Sequence, residues 1–299
     1  MTRQTLTDDI DNIRLRIALP NKGRLADGAL ELLERAGLEP AVASDRSLRA
    51  DLGEDFTALF VRAKDIPEFV ADGAADLGMT GSDLVAEADR PLETLLPLGF
   101  GRCRLAIAAR DDGEWAEADD IADGVRIATS FPRTTERWFA ARGKTVELVP
   151  VSGAAEIAPH IGVADVIVDL VSTGSTLKMN GLREVATVLE AQAVLVAREG
   201  FVAGESGARV RELVAALESV LRARGQRYLM ANVPRASLDR VKDVLPGING
   251  PTIVDVMDSG QHVAAHAVVA KSEVYRTIAA LKELGAEGIL VTKIERLMP

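Results

Sequence analysis

The sequence predicts an α/β protein in three parts: two lobes built from strand–turn–helix units, then a small βαββαβ unit. Apolar residues make up 47% of the 299 and aromatics only 4%, so the core must be Val, Leu, Ile and Ala, which suits parallel α/β layers. Through the first two hundred residues, apolar runs repeatedly lead into Gly/Ser/Thr turns and then into helical spacing. From Gln226 onward the order is strand, helix, strand, strand, helix, strand, the ferredoxin-like split βαβ pattern. On this reading residues 1–100 and 189–224 form a first lobe with its following helix, 101–188 a second lobe, and 225–299 the third part.

Arg14 to Leu19 reads as the first strand and Pro20-Asn21-Lys22-Gly23-Arg24 as its loop. Leu25, Ala29, Leu32, Leu33 and Ala36 then recur at helical spacing until Gly37 stops the helix. Phe56 to Val61 alternates as a strand, and Asp65 is placed to cap a helix carrying Ile66, Phe69 and Val70. Asp76 to Asp83 repeats the strand, Gly/Ser turn and helix start. Arg104 to Ala109 is a strand, and Val125 to Ala128 leads through Thr129–Thr135 into a helix ended by Gly143. Val146 to Pro150 is a strand, followed by a helix opening near Gly153 with Glu156 in its first turns. Ala193 to Ala197 is one more strand and returns the chain to the first lobe. Val210, Leu213, Val214, Leu217, Val220 and Leu221 share one face of an amphipathic helix. In the third part, strands are expected over Tyr228–Val233, Ile253–Val256, Val263–Val269 and Gly288–Ile294, with two helices between them.

The candidate chemistry concentrates in VADVIVDLVSTGSTLKMNGL, residues 163–182. Val166-Ile167-Val168 has the apolar continuity of a strand buried on both faces and delivers Asp169. Ser172-Thr173-Gly174-Ser175-Thr176 then supplies hydroxyls, backbone amides and a glycine free to take positive φ, with Ser175 or Thr176 expected to cap a short helix. Such a turn binds phosphate where amides converge at a helix start; an ordinary capped turn has the same sequence. Lys22 and Arg24 beside another helix start favour a visiting anion, against two solvated loop bases. Lys64 and Arg133 extend the set of bases, and Asp76, Glu156 and Asp169 supply acids suited to a ribose hydroxyl or to Mg²⁺.

Other classes fall away. A net charge of −10 argues against a general nucleic-acid or anionic-membrane surface. Cys103 is the only cysteine, so no intramolecular disulfide forms. Residues 1–13 are polar and carry no signal-peptide core, so a soluble, cytoplasmic protein is expected. His160 stands alone, while His262 and His266 lack carboxylate or cysteine partners at ligand spacing. No GxSxG, nucleophile–base pair or GxxxxGK[ST] occurs.

The segments PNKGRL, DLGMTGSDLV, GFGRCRLAIA, RIATSFP, GAAEIAP, ADVIVDLVSTGSTLKMNGLREV and LKELGAEGILVTKIE, in this order, resemble ATP phosphoribosyltransferase in its long form. That family catalyses the first step of histidine biosynthesis. The resemblance runs from about Arg14 to the C-terminus. It implies a two-lobed, type II periplasmic-binding-protein-like catalytic region and a C-terminal ferredoxin-like (ACT-like) regulatory domain. It implies that N1 of ATP's adenine attacks C1 of phosphoribosyl pyrophosphate, with Mg²⁺ as cofactor and no side chain as acid or base. By position, Asp169 and Ser172, Thr173, Gly174, Ser175 and Thr176 would hold phosphoribosyl pyrophosphate. Asn21, Lys22, Gly23, Arg24, Lys64, Asp76, Gly81, Ser82, Asp83, Phe131 and Glu156 would face ATP or the cleft, with Asp169 or Glu156 meeting the metal through water. Many relatives carry Tyr where this chain has Phe131, so stacking is expected there without a phenolic hydroxyl. The resemblance also implies histidine inhibition near Thr252 and Gly288, and assembly into dimers and hexamers. Two competing readings are a prephenate dehydratase, which does not account for Asp169, Lys22 and Arg24, and a two-lobed solute-binding protein, which the C-terminal domain disfavours.

Overall fold

A computed structural model describes residues 14–41, 47–204, 206–257 and 260–298; the polar stretch 1–13 lies outside them. The first unit, through Val214, contains two sheets. Strand β1 (Leu15–Pro20) leads into helix α1 (Arg24–Arg35), and β2 (Arg49–Leu52) pairs antiparallel with β3 (Phe56–Val61). Helix α2 (Ile66–Ala71) precedes β4 (Leu77–Gly81), α3 (Ser82–Ala88) and β5 (Leu92–Pro97). The chain then enters the second sheet with β6 (Cys103–Arg110), β7 (Val125–Thr129), α4 (Pro132–Ala140) and β8 (Val146–Pro150). It continues through β9 (Val166–Val171), α5 (Ser175–Met179) and β10 (Leu182–Ala191), and β11 (Ala193–Arg198) returns to the first sheet.

The first sheet has the order β2-β3-β1-β4-β11-β5 and the second β10-β6-β9-β7-β8. Strands β3, β1 and β4 run parallel, while β11 inserts antiparallel between β4 and β5. Inserting the returning strand antiparallel beside β4 is the type II periplasmic-binding-protein arrangement. Ala18, Val194 and Val196 pack under α2 with no more than a few per cent of their surface exposed, as continuous apolar runs in the middle of a sheet should.

Four sequence expectations change. The chain leaves the second sheet only after Ala191, because β10 pairs with β6 from Leu182 to Ala191, beyond the expected boundary at 188/189. The segment near Gly153 forms one 3-10 turn, Ala155–Ile157, entered through Ala154 at φ 52°, rather than a helix. Phe56–Val61 does not alternate, since it is covered at its start and half-exposed at its end. Asp65 makes no side-chain capping bond.

The second unit, from Ala215, takes up helix α6 (Gly207–Ala223) partway along and then β12 (Gln226–Pro234), α7 (Leu238–Val244) and β13 (Thr252–Asp255). It ends with β14 (His262–Ala270), α8 (Val274–Glu283) and β15 (Glu287–Lys293). The sheet order β13-β14-β12-β15, antiparallel throughout, is the ferredoxin-like order. Leu229, Ala231 and Val233 alternate with Val263, Ala265 and Ala267 on the helix-covered face, where Val241, Leu245 and Leu281 close the core.

Candidate active site

The carboxyl end of β9 opens into a cavity of about 270 Å³ lined by Arg24, Glu156, Asp169 to Gly174, Thr176 and Leu177. Local sequence explains how these side chains meet. Val166–Val168 is fully buried between β6 and β7, which fixes where Asp169 emerges. Ala106, Ala108 and Ala128 give that face of the sheet a low profile, so Ala155, Ala158 and Leu177 pack directly against it. The packing brings the 3-10 turn carrying Glu156 and the start of α5 to the same rim.

The turn itself is held by Gly174, whose φ of 77° would strain any side chain and which occupies the position before α5. Neither Ser175 nor Thr176 is the cap: Thr173 Oγ1 accepts the Ser175 N–H at 3.4 Å and lies 2.9 Å from the Ser175 hydroxyl. Helix α5 has only five residues, so few peptide dipoles add up and the polarity of the site comes from loop hydroxyls and carboxylates. From the first lobe, Arg24 Nη2 donates to Ser172 Oγ at 3.4 Å.

Asp169 sits among this turn with its pKa raised. Burial is the main cause; the Leu170 N–H, donating at 2.7 Å, opposes it, and the Glu156 carboxylate adds to it. Two acids facing one cavity therefore favour a ligand that donates hydrogen bonds or brings a cation. Among the described residues, no group of three His, Cys, Asp or Glu gathers to hold a metal alone.

The turn after β7, which carries the expected cleft residue Phe131 and the base Arg133, is already filled. Glu87 on α3, from the first lobe, accepts the Arg133 N–H at 3.0 Å, the Thr134 N–H at 2.9 Å and the Thr134 hydroxyl at 2.7 Å. Arg133 Nη1 donates to Ala88 O at 2.7 Å, and Arg137 pairs with Asp89. Arg133 thus fastens the lobes together. Phe131 does not offer a stacking surface: its ring is 5% exposed and packs with Leu105, Ile107 and Phe139. Buried Thr129 and Thr135 bond to its backbone and lock the turn around it. Nothing in the local sequence marks Glu87, because its partner lies 46 residues away and a lone Glu on a short helix carries no signature.

The remaining expected residues divide. Asn21, Lys22 and Gly23 are exposed at the carboxyl end of β1 and Lys64 beyond the end of β3, but only Arg24 lines the cavity. Asp76 is structural: its carboxylate accepts the Arg16 N–H at 2.8 Å and pairs with the Arg16 guanidinium. Asp83 is buried beneath its own turn, close enough to Gly81 that a Cβ there would stand 2.1 Å from Oδ1, and burial raises its pKa. Ser82 Oγ accepts the Gln192 N–H at 3.1 Å at the crossover between sheets. It lines a different cavity of about 450 Å³ with Arg102 and Glu190. Thr252 lies on β13 and Gly288 on β15, the two opposite edges of the third sheet. His160 Nε2 and Asn180 O are 2.6 Å apart, and His266 Nδ1 lies 2.9 Å from the Tyr228 hydroxyl, so both rings have ordinary structural partners.

Two α/β lobes with a polar cavity at strand carboxyl ends define a two-lobed α/β protein of the type II periplasmic-binding-protein class. Residues 62–219 match the family described as ATP phosphoribosyltransferase, and residues 223–296 match its C-terminal domain. An ATP phosphoribosyltransferase of Gemmatimonas aurantiaca is 58% identical over 95% of this chain and all of its own length. Another from Haloarcula marismortui is 51% identical over the same shares. The structure of an ATP phosphoribosyl transferase complex from Thermotoga maritima superposes with a TM-score of 0.61 at 28% identity, covering 70% of this chain and 98% of that one. The chain belongs to the ATP phosphoribosyltransferase family, the pentosyltransferases of histidine biosynthesis.

Proposed function

We propose that the cavity at the end of β9 receives phosphoribosyl pyrophosphate, with ATP approaching from the first-lobe turn Asn21–Arg24. The observation that carries this reading is the convergence, in one cavity, of two carboxylates, the hydroxyls of Ser172, Thr173 and Thr176, and one guanidinium from the facing lobe. Asp169, with Glu156 nearby, accepts hydrogen bonds from the ribose hydroxyls, and the 172–176 turn takes the 5′-phosphate. Arg24 offsets part of the anionic charge that two phosphorylated substrates bring together.

Adenine N1 supplies its own lone pair, forms the bond to C1, and the C1–O bond breaks with its electron pair leaving on pyrophosphate. No side-chain base is needed to create that nucleophile, which fits a site without a paired His or Lys. The chain's work is alignment of two anions that repel in water, with donors placed where charge develops. Metal dependence is consistent with the family; Mg²⁺ is our assignment. Asp169 and Glu156 would hold it through water, alongside the substrate's own phosphates. Bound there, it would neutralise charge on the leaving pyrophosphate.

We place the protein in the cytoplasm; among the described residues no helix is long and apolar enough to cross a membrane. Histidine inhibition through the third part, in a homo-oligomer, belongs to the same proposal. Thr252 and Gly288 stand at opposite sheet edges, so a site using both needs edges from two copies. The test is to combine ATP, phosphoribosyl pyrophosphate and Mg²⁺ and search for phosphoribosyl-ATP by mass spectrometry. Product is expected only with both substrates present; its absence would overturn the reading.

A further inference from the structure

Beside the 172–176 turn, β6 and β10 carry a charged pair, Arg104 and Glu184. Arg104, near the start of β6, is in register with Val171, the residue before the turn. Its Nε donates to both Glu184 oxygens at 2.8 and 3.0 Å, and its Nη2 to Glu184 Oε2 at 2.5 Å. The Thr187 hydroxyl donates to Glu184 Oε1 at 3.1 Å. Register shifts in β10 fall immediately after Glu184 and after Thr187, and such irregularities re-aim side chains at a strand edge. With one edge of its fork committed to Glu184, Arg104 turns Nη1 onto the Ser172 carbonyl oxygen at 3.2 Å. The guanidinium also passes 4.0 Å from where a Cβ on Gly174 would stand.

A trans peptide points its C=O and its N–H in opposite directions. Holding Ser172 O toward Arg104 therefore turns the Thr173 N–H away from Arg104. Were the peptide to flip, a carbonyl oxygen would take the place of that donor and repel an anion. Such a flip turns ψ of Ser172 and φ of Thr173, and the bond from Arg104 Nη1 to the Ser172 carbonyl oxygen opposes it.

We propose that Arg104, oriented by Glu184 and Thr187, is a positioning residue that locks the Ser172–Thr173 peptide with its N–H available to the sugar phosphate. The inference rests on the reading of this cavity as the phosphoribosyl pyrophosphate site. Arg104 acts through the backbone and does not itself bind the phosphate, since Glu184 already neutralises it.

The test measures binding of phosphoribosyl pyrophosphate and of ATP to the full chain by calorimetry. Arg104→Met, which keeps the stem and removes the fork, should weaken phosphoribosyl pyrophosphate about tenfold or more, the scale of one charge-assisted bond, and ATP less than about twofold. Glu184→Gln, which retains one acceptor, should weaken it in the same direction by about threefold. Equal loss for both ligands would mean a general structural role and would overturn the proposal. Tighter binding in Glu184→Gln would mean that Arg104 is a direct phosphate ligand, with the same consequence. If Arg104→Met does not fold, Glu184→Gln decides the question alone. Asp169→Asn combined with Thr173→Ala separates the layers. If it leaves phosphoribosyl pyrophosphate binding intact, the cavity assignment itself is wrong. If it weakens binding while Arg104→Met does not, only the peptide lock fails.

Discussion

The second lobe contains two strand–turn–helix junctions that look alike in sequence and differ in what fills them. After β7, Ser130-Phe131-Pro132 starts a nine-residue helix whose first amides are taken by Glu87 of the facing lobe. After β9, the 172–176 turn starts a five-residue helix and borders an open cavity, and the residue reaching it from the facing lobe is Arg24. The first lobe thus brings an acid to one junction and a base to the other. The acid satisfies the amides it meets. The base instead adds positive charge to a turn lined with hydroxyls, an arrangement suited to an anionic group. Two junctions with one local grammar therefore differ in use: one fastens the lobes, and the other, on the reading proposed above, receives the substrate.

The strongest way to break this division is to damage the open junction. Asp169→Asn with Thr173→Ala should weaken phosphoribosyl pyrophosphate by about 10- to 100-fold, as expected for losing one charge-assisted bond and one ordinary one. ATP affinity should change much less. Calorimetric titration of each ligand separates the two, and equal losses would mean that the turn has been misassigned.

The filled junction predicts the opposite pattern. Glu87→Gln keeps one oxygen acceptor and loses the charge, so the apo protein should lose about 1–2 kcal/mol, read as a lower midpoint in denaturant. Phosphoribosyl pyrophosphate affinity should stay within about threefold of the parent, less than the cost of one hydrogen bond. A larger loss of substrate affinity than of stability would show that this junction too takes part in binding.

The same comparison explains what the sequence disclosed. The open junction was legible because its signals are local: an apolar strand, Asp169 and five small polar residues in one run. The third part was legible for a similar reason, since Leu229, Ala231 and Val233 alternate cleanly along a half-buried strand. What the sequence hid is set by partners far along the chain. Phe131 reads locally as a cleft residue, but Leu105, Ile107 and Phe139 enclose it. Asp76 reads locally as a ligand, but Arg16, sixty residues earlier, holds its carboxylate. Strands β2, β5 and β10 leave little trace in the sequence: each is a sheet edge interrupted by charges, whereas the edges β8, β13 and β15 keep apolar runs. The first three are half-exposed and carry charges such as Arg49, Asp51, Glu93 and Glu184, which erase the apolar period that marks a central strand.

The smallest effect sharpens the comparison on the side of stability. A site that keeps a carboxylate poorly solvated for a substrate hydroxyl should weaken the empty fold, whereas the Glu87 junction strengthens it. Asp169 has its folded pKa raised above the ordinary 3.8, first by burial. In the window between that value and the folded pKa, the folded state holds more protons than the unfolded chain, so stability falls as pH rises through it. Below the window both states are protonated and the penalty vanishes. Asp169→Asn should therefore be more stable than the parent at neutral pH, with the Leu170 N–H still finding an oxygen. The difference in Tm should shrink to nothing as pH falls below about 3.8. Asp83, raised in the same direction by burial, is present in both proteins and cancels from the difference. A difference in Tm that is constant with pH would show that the gain comes from packing, and that the open junction carries no electrostatic cost when empty.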